Sequence, residues 1–259
     1  MDYTPQEMMA IATGRELKAG ELAIFGVGLS MLAGFFAQHC HAPGLQSITE
    51  GGVFGATPVG GLPWGIECNR LAVNATCFSG ALDALGCFVA SGRCDVGVIG
   101  AAQVDRFGNV NTTGIWGGRP RSHPPQVRLS GSGGANDIAC GAGRFVVMLQ
   151  HERKRFVDRV DYISSPGYLS GGDAREGYGF PGQGPTAVVT SLGILRPHPE
   201  SRELLLSEFF EFSDPEIIRQ ETGWDLQVSP DVQVTQPPTP HELEVLRRVD
   251  STGMLRRRA

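Results

Sequence analysis

Glu50 is the first residue whose position suggests chemistry. It ends the stretch 45–52, LQSITEGG, in which a turn signal (41–44, HAPG) precedes a short apolar segment and two glycines follow the carboxylate. This pattern predicts a short buried strand that stops at Glu50. Ligands bind just beyond the carboxyl ends of strands in α/β sheets, and a glutamate there is already ionised at pH 7. Glu50 is therefore a candidate nucleophile, with a solvated loop glutamate as the alternative.

A glycine-rich stretch at 130–137, SGSGGAND, is the second candidate. Glycine backbone lets several N–H groups converge on one oxygen without side-chain obstruction, which suits a developing oxyanion. Gly133 and Gly134 are the preferred donors, although the sequence does not say which amide donates. A plain surface loop is the alternative interpretation.

A third polar cluster lies at 100–111, GAAQVDRFGNVN. Gln103 and Asp105 follow a predicted buried strand, and Asn109 and Asn111 follow a turn. These side chains either contact a substrate or form a hydrogen-bonded turn that shapes the wall of the site.

The histidines offer no further catalytic group. His39 and His41 are too far from a third ligand to indicate a metal site, and no metal is expected. His151, in QHER at 150–153, is predicted to lie at a helix start on the surface. No Ser-His-Asp arrangement is legible, which disfavours a hydrolase triad.

The motifs at 49–52, 100–111 and 130–137 occur in an order and at a spacing that resemble the B (beta) subunit of family I coenzyme A transferases, most closely the glutaconate CoA-transferase type. The resemblance runs from Tyr3 to Leu226. Family members usually show Ser-Glu-Asn-Gly or Glu-Ser-Gly, whereas this chain has TEGG. The glutamate is retained, and the departure is confined to small neighbours.

The resemblance implies that Glu50 is the nucleophile of a ping-pong transfer of CoA between an acyl-CoA and a carboxylic acid, through an acyl-glutamyl anhydride and a glutamyl-CoA thioester. It also implies that the glycine loop faces Glu50. No permanently bound cofactor is expected, since the CoA thioester is the substrate. Residues expected to bind the substrate or CoA are Gly26, Gly28, Gly51, Gln103, Ala135 and Asn136.

A partner chain follows from the same resemblance. An A (alpha) subunit is expected to supply much of the CoA pocket, in a hetero-tetramer or larger assembly. Related pairs catalyse hydrolysis or decarboxylation of CoA thioesters, typically without the glutamate, so the retained Glu50 favours transfer. A non-catalytic subunit that binds acyl-CoA or acts as a scaffold is the alternative from another class. The acyl group and the acceptor acid stay open.

Bulk properties exclude several other functions. The net charge is −5, from 22 Lys+Arg and 27 Asp+Glu, and the single basic cluster is Arg256-Arg257-Arg258. Nucleic acid is therefore not an expected partner. The absence of a long apolar run or a signal-peptide pattern predicts a cytoplasmic protein without a membrane partner. Six cysteines without a C-x-x-C pair are interpreted as reduced core thiols.

The elements that must position Glu50 begin with a capping box, TPQE at 4–7, which opens a helix that Gly20 ends. A strand at 21–25 runs into a Gly-x-Gly turn at 26–28, and Ser30 is predicted to cap a helix at 31–39. With the strand at 45–49 this makes a βαβ unit, whose right-handed crossover puts the glycine turn and Glu50 at the same edge of the sheet.

Further elements complete an α/β pattern. Residues 53–74 are interpreted as loop, and Ser79 is predicted to cap a helix that continues to Ala90. Strands are predicted at 95–99, 144–149 and 160–163, followed by a small meander over 186–209. Helices open at 213–216 and 239–242. The sequence therefore predicts one α/β domain over 1–259, with a single open, mostly parallel sheet flanked by helices and an antiparallel meander near the C-terminal part.

Overall fold

A large mixed sheet forms the centre of the computed structural model, which describes residues 2–58, 61–66, 68–251 and 253–255. The basic cluster Arg256-Arg257-Arg258 lies outside these residues. The strands are β1 (Leu22–Phe25), β2 (Gln46–Ile48), β3 (Val53–Phe54), β4 (Cys77–Phe78), β5 (Val96–Gly100), β6 (Gln103–Asp105), β7 (Val110–Asn111), β8 (Gly114–Ile115), β9 (Val127–Arg128), β10 (Arg144–Leu149), β11 (Phe156–Val157), β12 (Pro185–Thr190), β13 (Gly193–Pro197), β14 (Leu204–Phe209) and β15 (Val228–Val234). The α-helices are α1 (Pro5–Arg15), α2 (Leu29–Cys40), α3 (Ala135–Gly141), α4 (Ala174–Gly177), α5 (Pro215–Gln220) and α6 (Pro240–Val249), joined by a 3₁₀ helix (Asn69–Ala72) and a π-helix (Leu82–Val89).

The ten-stranded sheet has the order β15-β14-β13-β12-β10-β5-β1-β2-β3-β4. Its centre, from β12 to β2, is entirely parallel. Antiparallel pairs flank this centre, with β12, β13 and β14 forming the predicted meander on one side and β3 and β4 extending the other. The predicted fold class is thereby confirmed, and two small sheets, β11-β6-β7 and β8-β9, are added to it.

Alternating side chains divide the core between the two faces of the sheet. In β10, Val146 and Met148 pack with α1, α2 and α6, whereas Phe145, Val147 and Leu149 pack with α3 and the π-helix. Both faces of a parallel sheet must be covered, and this explains why these strands read as continuous apolar runs.

Two helices with capping boxes pack together through their own capping residues. Glu7 caps α1 and pairs with Arg247 of α6 at 2.7 Å, while Glu242 caps α6 and pairs with Arg15 of α1 at 2.8 Å. Each acid lies in a first turn and each arginine at a last turn, where the helix dipole favours that charge. The capping box predicted at 4–7 is confirmed, and the helix predicted to open at 239–242 also begins with one.

Several predicted boundaries were wrong. α1 ends at Arg15 instead of Gly20, because the chain turns at Glu16 and buries Leu17. Ser30 lies inside α2, whose N-cap is Gly28, and so Ser30 caps nothing. Ser79 likewise makes no cap, since the predicted helix is a π-helix that begins at Leu82.

Other segments also differ from the prediction. Residues 160–163 form no strand, because the Asp161 carboxylate accepts hydrogen bonds from the backbone of Trp116 and Gly117 and fixes this segment as a bend. The stretch 53–74 contains β3 and the 3₁₀ helix as well as loop, and Val59, Gly60 and Glu67 within it lie outside the described residues.

The cysteines differ in their burial. All six cysteines are free; Cys68 and Cys94 are buried, whereas Cys77 and Cys87 are exposed, so the prediction of core thiols holds only in part. No helix within the described residues is long and apolar enough to cross a membrane.

Candidate active site

The active-site candidates converge at one edge of the parallel sheet. β1 and β2 pair in parallel, so the Gly26–Gly28 turn that follows β1 and Glu50, which follows β2, lie at the same edge. The turn is tied to the neighbouring strand because the Gly26 N–H donates to the carbonyl of Val98 at 3.0 Å. The predicted βαβ placement of the glutamate is confirmed.

A tight turn presents Glu50. Thr49 is buried and its hydroxyl accepts the N–H of Val53 at 3.2 Å, while the Gly52 N–H donates to the Thr49 carbonyl at 2.9 Å. Gly52 has φ +88, and a Cβ on it would lie 2.6 Å from the backbone carbonyl of Ser79. Only glycine combines this left-handed conformation with so close an approach of two backbones.

The glycine loop meets the glutamate directly. It leaves β9 with a hydrogen bond from the Gly131 N–H to the Thr112 carbonyl at 2.7 Å and ends in α3. A Cβ on Gly134 would lie 2.8 Å from Cδ and 3.0 Å from Oε1 of Glu50, and a Cβ on Gly133 would lie 3.6 Å from Oε2. The loop backbone therefore packs on the carboxylate with no side chain between them.

The surroundings of Glu50 alter its acidity. Burial raises the pKa of Glu50 above its ordinary 4.5, the backbone amide of Gly134 beside the carboxylate lowers it in part, and the charge of Asp137 raises the pKa further. Burial removes much of the hydration that makes a carboxylate a poor nucleophile. A fixed amide donor then replaces part of the lost water.

The polar side chains on and after β6 and β7 form hydrogen bonds mainly with one another and with the backbone. The Gln103 amide nitrogen donates to the Lys154 carbonyl at 3.3 Å, and its oxygen accepts from Asn111 at 2.9 Å. Asp105 is buried and accepts from the side chain and backbone of Asn109. These contacts favour the interpretation as a hydrogen-bonded turn, while substrate contact by Gln103 stays a prediction.

A cleft of ≈ 650 Å³ is lined in part by Gly51, the residue that follows Glu50 in the chain. Its other lining residues are mostly apolar: Val53, Ile66, Cys68, Asn69, Ala72 and Phe78. Because Gly51 directly follows Glu50, this cleft is a candidate entry for the part of a ligand that must reach the glutamate.

The remaining predicted site residues differ in how they meet this centre. Ala135 begins α3, where its N–H donates to the Ser132 carbonyl at 3.0 Å. The Asn136 amide is directed to the Ser164 carbonyl at 2.8 Å. Gly28 has φ +89 and open space around it. Substrate contacts by these residues stay predictions.

Two contributors were missed from the sequence. Asp137 acts on the pKa of Glu50 through its charge, and Ser79 packs against Gly52. Asp137 is the last residue of the glycine motif, so a negative charge close to the loop could have been predicted from the sequence. No feature of the sequence predicted the contact of Ser79 with Gly52. Among the described residues, no group of three or more His, Cys, Asp or Glu is arranged to hold a metal.

Known proteins resemble this chain along nearly its whole length. The model of a family described as "Coenzyme A transferase" matches residues 6–220. The B subunit of the 3-oxoadipate CoA-transferase of Pseudomonas knackmussii is 37% identical over 249 residues, covering 96% of this chain and 94% of the relative. The B subunit of the glutaconate CoA-transferase of Acidaminococcus fermentans is 33% identical over 257 residues, covering 97% and 94%. The crystal structure of glutaconate CoA-transferase from A. fermentans aligns with TM-score 0.89, 32% identity and coverage of 97% of this chain and 96% of that one.

Proposed function

The chain belongs to the coenzyme A transferase family as a B subunit of a two-subunit enzyme, and we propose that Glu50 is the nucleophile of its ping-pong transfer. One observation carries the proposal. The Glu50 carboxylate is partly buried at the carboxyl end of β2, against the backbone of Gly134, and the next residue, Gly51, lines an open cleft.

The first half-reaction begins with attack of a Glu50 oxygen on the thioester carbonyl. The carbonyl oxygen becomes an oxyanion, the C–S bond then breaks, and CoA thiolate leaves behind an acyl-glutamyl anhydride. The thiolate attacks the Glu50 carbonyl carbon of this anhydride and releases the acyl group as a free carboxylate. A glutamyl-CoA thioester remains, and no proton transfer is needed in either step.

The second half-reaction reverses these steps with the acceptor acid. Its carboxylate attacks the glutamyl thioester, CoA thiolate leaves, and the thiolate then attacks the acyl carbon of the new anhydride. The products are the new acyl-CoA and the free Glu50 carboxylate. Gly133 and Gly134 are the proposed amide donors to the oxyanions, which arise within reach of the Glu50 carbonyl.

An A subunit is the partner, and the naming of both relatives as B subunits supports this. The relatives act on 3-oxoadipate and glutaconate, both dicarboxylates, and we propose an acyl-CoA of a small carboxylic acid as the substrate class. The proposed assembly with the A subunit is a hetero-tetramer or larger. We propose that this chain contributes to it as one domain, residues 1–259.

The test is a covalent one. Incubating the A–B pair with acyl-CoA and no acceptor should attach CoA to the peptide that contains Glu50, and the adduct should disappear when a carboxylic acid is added. Glu50→Ala should abolish both adduct and exchange, whereas Glu216→Ala, at an exposed glutamate of α5, should change neither. Full exchange activity in Glu50→Ala would falsify the proposal.

A further inference from the structure

A basic segment leads into the glycine loop and has no role in the steps above. We define the basic strap as residues 117–128, which connect β8 to the end of β9. It contains three arginines, Arg119, Arg121 and Arg128, and no aspartate or glutamate. All three arginines are exposed. A run of cations with no acid among them is a surface suited to an anion.

The base of the strap is firmly held. The Trp116 indole N–H donates to the His123 carbonyl at 2.8 Å, and the Asp161 carboxylate accepts the N–H groups of Trp116 and Gly117 at 2.7 Å and 3.1 Å. The Arg121 guanidinium donates to the Asp161 carbonyl and lies over the Tyr162 ring, 5.4 Å from its centroid. Arg121 thus helps to fix the strap.

The other two arginines are uncommitted. Within the described part of the chain, the guanidinium groups of Arg119 and Arg128 make no hydrogen bond or ion pair. The backbone N–H of Arg119 donates to the Trp116 carbonyl, which fixes the main chain and leaves the side chain available. Two free guanidinium groups on an ordered backbone are available to bind a ligand with little reorganisation.

The strap and Glu50 are joined by a short path. Gly131 and Leu129 continue the pairing of β9 through hydrogen bonds to the carbonyls of Thr112 and Thr113, and Gly133 then lies against Glu50. Gly133 is five positions after Arg128 in the chain, so their Cα atoms are at most about 17 Å apart. This span is comparable with the extended pantetheine arm, which separates the reacting sulfur of CoA from its phosphates.

We propose that Arg119 and Arg128 bind the phosphate groups of the CoA thioester while its sulfur lies at Glu50. This inference rests on the proposed function, since it takes the thioester at Glu50 as given. Guanidinium groups match phosphate oxygens in a planar, bidentate geometry and keep their charge at any physiological pH. The strap is thereby the nucleotide end of the substrate site, and Glu50 is its reactive end.

The test compares two thioesters in the A–B pair: an acyl-CoA and the same acyl group on pantetheine, which lacks the phosphates. In Arg119→Ala/Arg128→Ala, kcat/KM for acyl-CoA should fall about 10- to 25-fold, from about 3- to 5-fold for each exposed phosphate contact. The value for acyl-pantetheine should stay unchanged. The difference should shrink at high salt, because exposed charge pairs are screened.

Controls separate this proposal from its rivals. Arg219→Ala removes an exposed arginine of α5 and should leave both substrates unaffected. Arg119→Lys/Arg128→Lys keeps the charge and should recover part of the lost kcat/KM. Equal losses for both thioesters, no loss for either, or weakened binding of the A subunit would each overturn the proposal. Failure of the proposed function is distinguishable, because the unsubstituted pair would then transfer no thioester and form no adduct on Glu50.

Discussion

The backbone of Gly134 lies directly against the carboxylate of Glu50, so close that a Cβ on Gly134 would be 2.8 Å from Cδ of the glutamate. The Gly134 backbone amide also lowers the pKa of this carboxylate, against the increase that burial causes. In the proposed mechanism, a Glu50 oxygen becomes part of the tetrahedral adduct when it attacks. An amide that stabilises the resting carboxylate is therefore already placed beside the charge that develops during the reaction.

Gly134→Ala is expected to lower kcat about 100- to 1000-fold, the loss typical for one oxyanion donor. All atoms that the added methyl group would meet belong to the Glu50 side chain, so it must displace either the loop or the carboxylate that is proposed to attack. Binding of acyl-CoA should change much less, since the donor acts mainly in the transition state. Steady-state kinetics of the A–B pair would measure both.

Two matched substitutions separate the causes of that loss. Gly133→Ala places its Cβ at 3.6 Å from the carboxylate, an ordinary contact, but strains a backbone at φ +51. Gly177→Ala adds a methyl group in open space on α4. We expect a smaller loss for Gly133→Ala and none for Gly177→Ala. A loss in Gly177→Ala as large as in Gly134→Ala would contradict the steric argument.

Gly52→Ala should destabilise the turn that carries Glu50. The substitution forces alanine to φ +88 and brings its Cβ within 2.6 Å of the Ser79 backbone. Gly20→Ala is the matched control, because Gly20 has φ +87 but nothing within 4 Å of a Cβ. We expect about 1 kcal/mol for the conformation alone in Gly20→Ala and about 2–4 kcal/mol in Gly52→Ala. Denaturant unfolding of both variants measures the difference.

His151 is buried in the core, contrary to its predicted place at a surface helix start. Its ring stacks on Phe156 with centroids 3.9 Å apart, and its two nitrogens lie 3.1 Å from the hydroxyls of Thr190 and Thr222. Both hydroxyls also donate to backbone carbonyls, Thr190 to that of Gly193 at 2.9 Å and Thr222 to that of Ile218 at 2.7 Å. Each hydroxyl can therefore accept the single N–H of a neutral imidazole, and neither is free to donate to a charged ring.

His151 should therefore make the fold sensitive to acid. Burial lowers the pKa of His151 from 6.5 to about 3. The unfolded chain binds this proton more readily than the folded chain, so stability is complete above pH 6.5 and is lost progressively as pH falls toward 3. His151→Gln should cost about 1–3 kcal/mol at pH 8 from lost packing and hydrogen bonds, with a smaller cost at pH 5. Unfolding free energies at the two pH values test this.

The sequence was sufficient for features encoded locally. The capping boxes at Thr4 and Thr239, the strand 144–149 and the placement of Glu50 at a strand end all follow from residues close together in the chain. The contact of the glycine loop with Glu50 came from resemblance, because spacing alone does not bring residue 134 to residue 50.

Features that depend on distant partners were beyond the sequence. His151 was misplaced because its polar neighbours, Thr190 and Thr222, are 39 and 71 residues away. Residues 160–163 do not form the predicted strand, because the Asp161 carboxylate accepts hydrogen bonds from the N–H groups of Trp116 and Gly117, 45 and 44 positions earlier in the chain. Hydrophobic periodicity cannot detect such pairings, since a buried polar side chain is stabilised by partners that only the fold supplies.

Exposed apolar side chains near the site predict where the A subunit docks. Phe78 is 64% exposed and lines the cleft beside Gly51, and Leu82 is 81% exposed at the start of the π-helix. Phe78→Ser and Leu82→Ser should each weaken the affinity for the A subunit by about 1–3 kcal/mol without unfolding this chain. Tyr178→Ser, at a side chain 75% exposed on another surface, is the control. Titration calorimetry of the two chains that shows equal affinities in all three variants would rule out this docking surface.

Glu50 should leave its own mark on the pH dependence of activity. The proposed transfer requires the carboxylate form of Glu50, and the pKa of Glu50 is raised above 4.5 by burial, with a further increase from the charge of Asp137. The rate of transfer should therefore fall toward acid with an apparent pKa above 4.5. Asp137→Asn should move that acid limb to lower pH, because it removes a neighbouring negative charge. A limb that does not move in Asp137→Asn would contradict this electrostatic coupling.

The same shift has the opposite consequence for stability. The folded chain holds the Glu50 proton more tightly than the unfolded chain, so ionisation at neutral pH favours unfolding. This destabilisation is complete above the folded pKa and absent below the unfolded pKa. Glu50→Gln keeps the shape without the charge and should raise the unfolding midpoint of the A–B pair by about 1–3 °C at pH 7. The gain should vanish near pH 4, where the parent carboxyl is protonated in the folded chain. An inactive Glu50→Gln variant that is more stable than the parent would show that the buried carboxylate is kept for the reaction at the expense of the fold. An equally inactive variant that is less stable at pH 7 would instead indicate that the Glu50 carboxylate has a structural role.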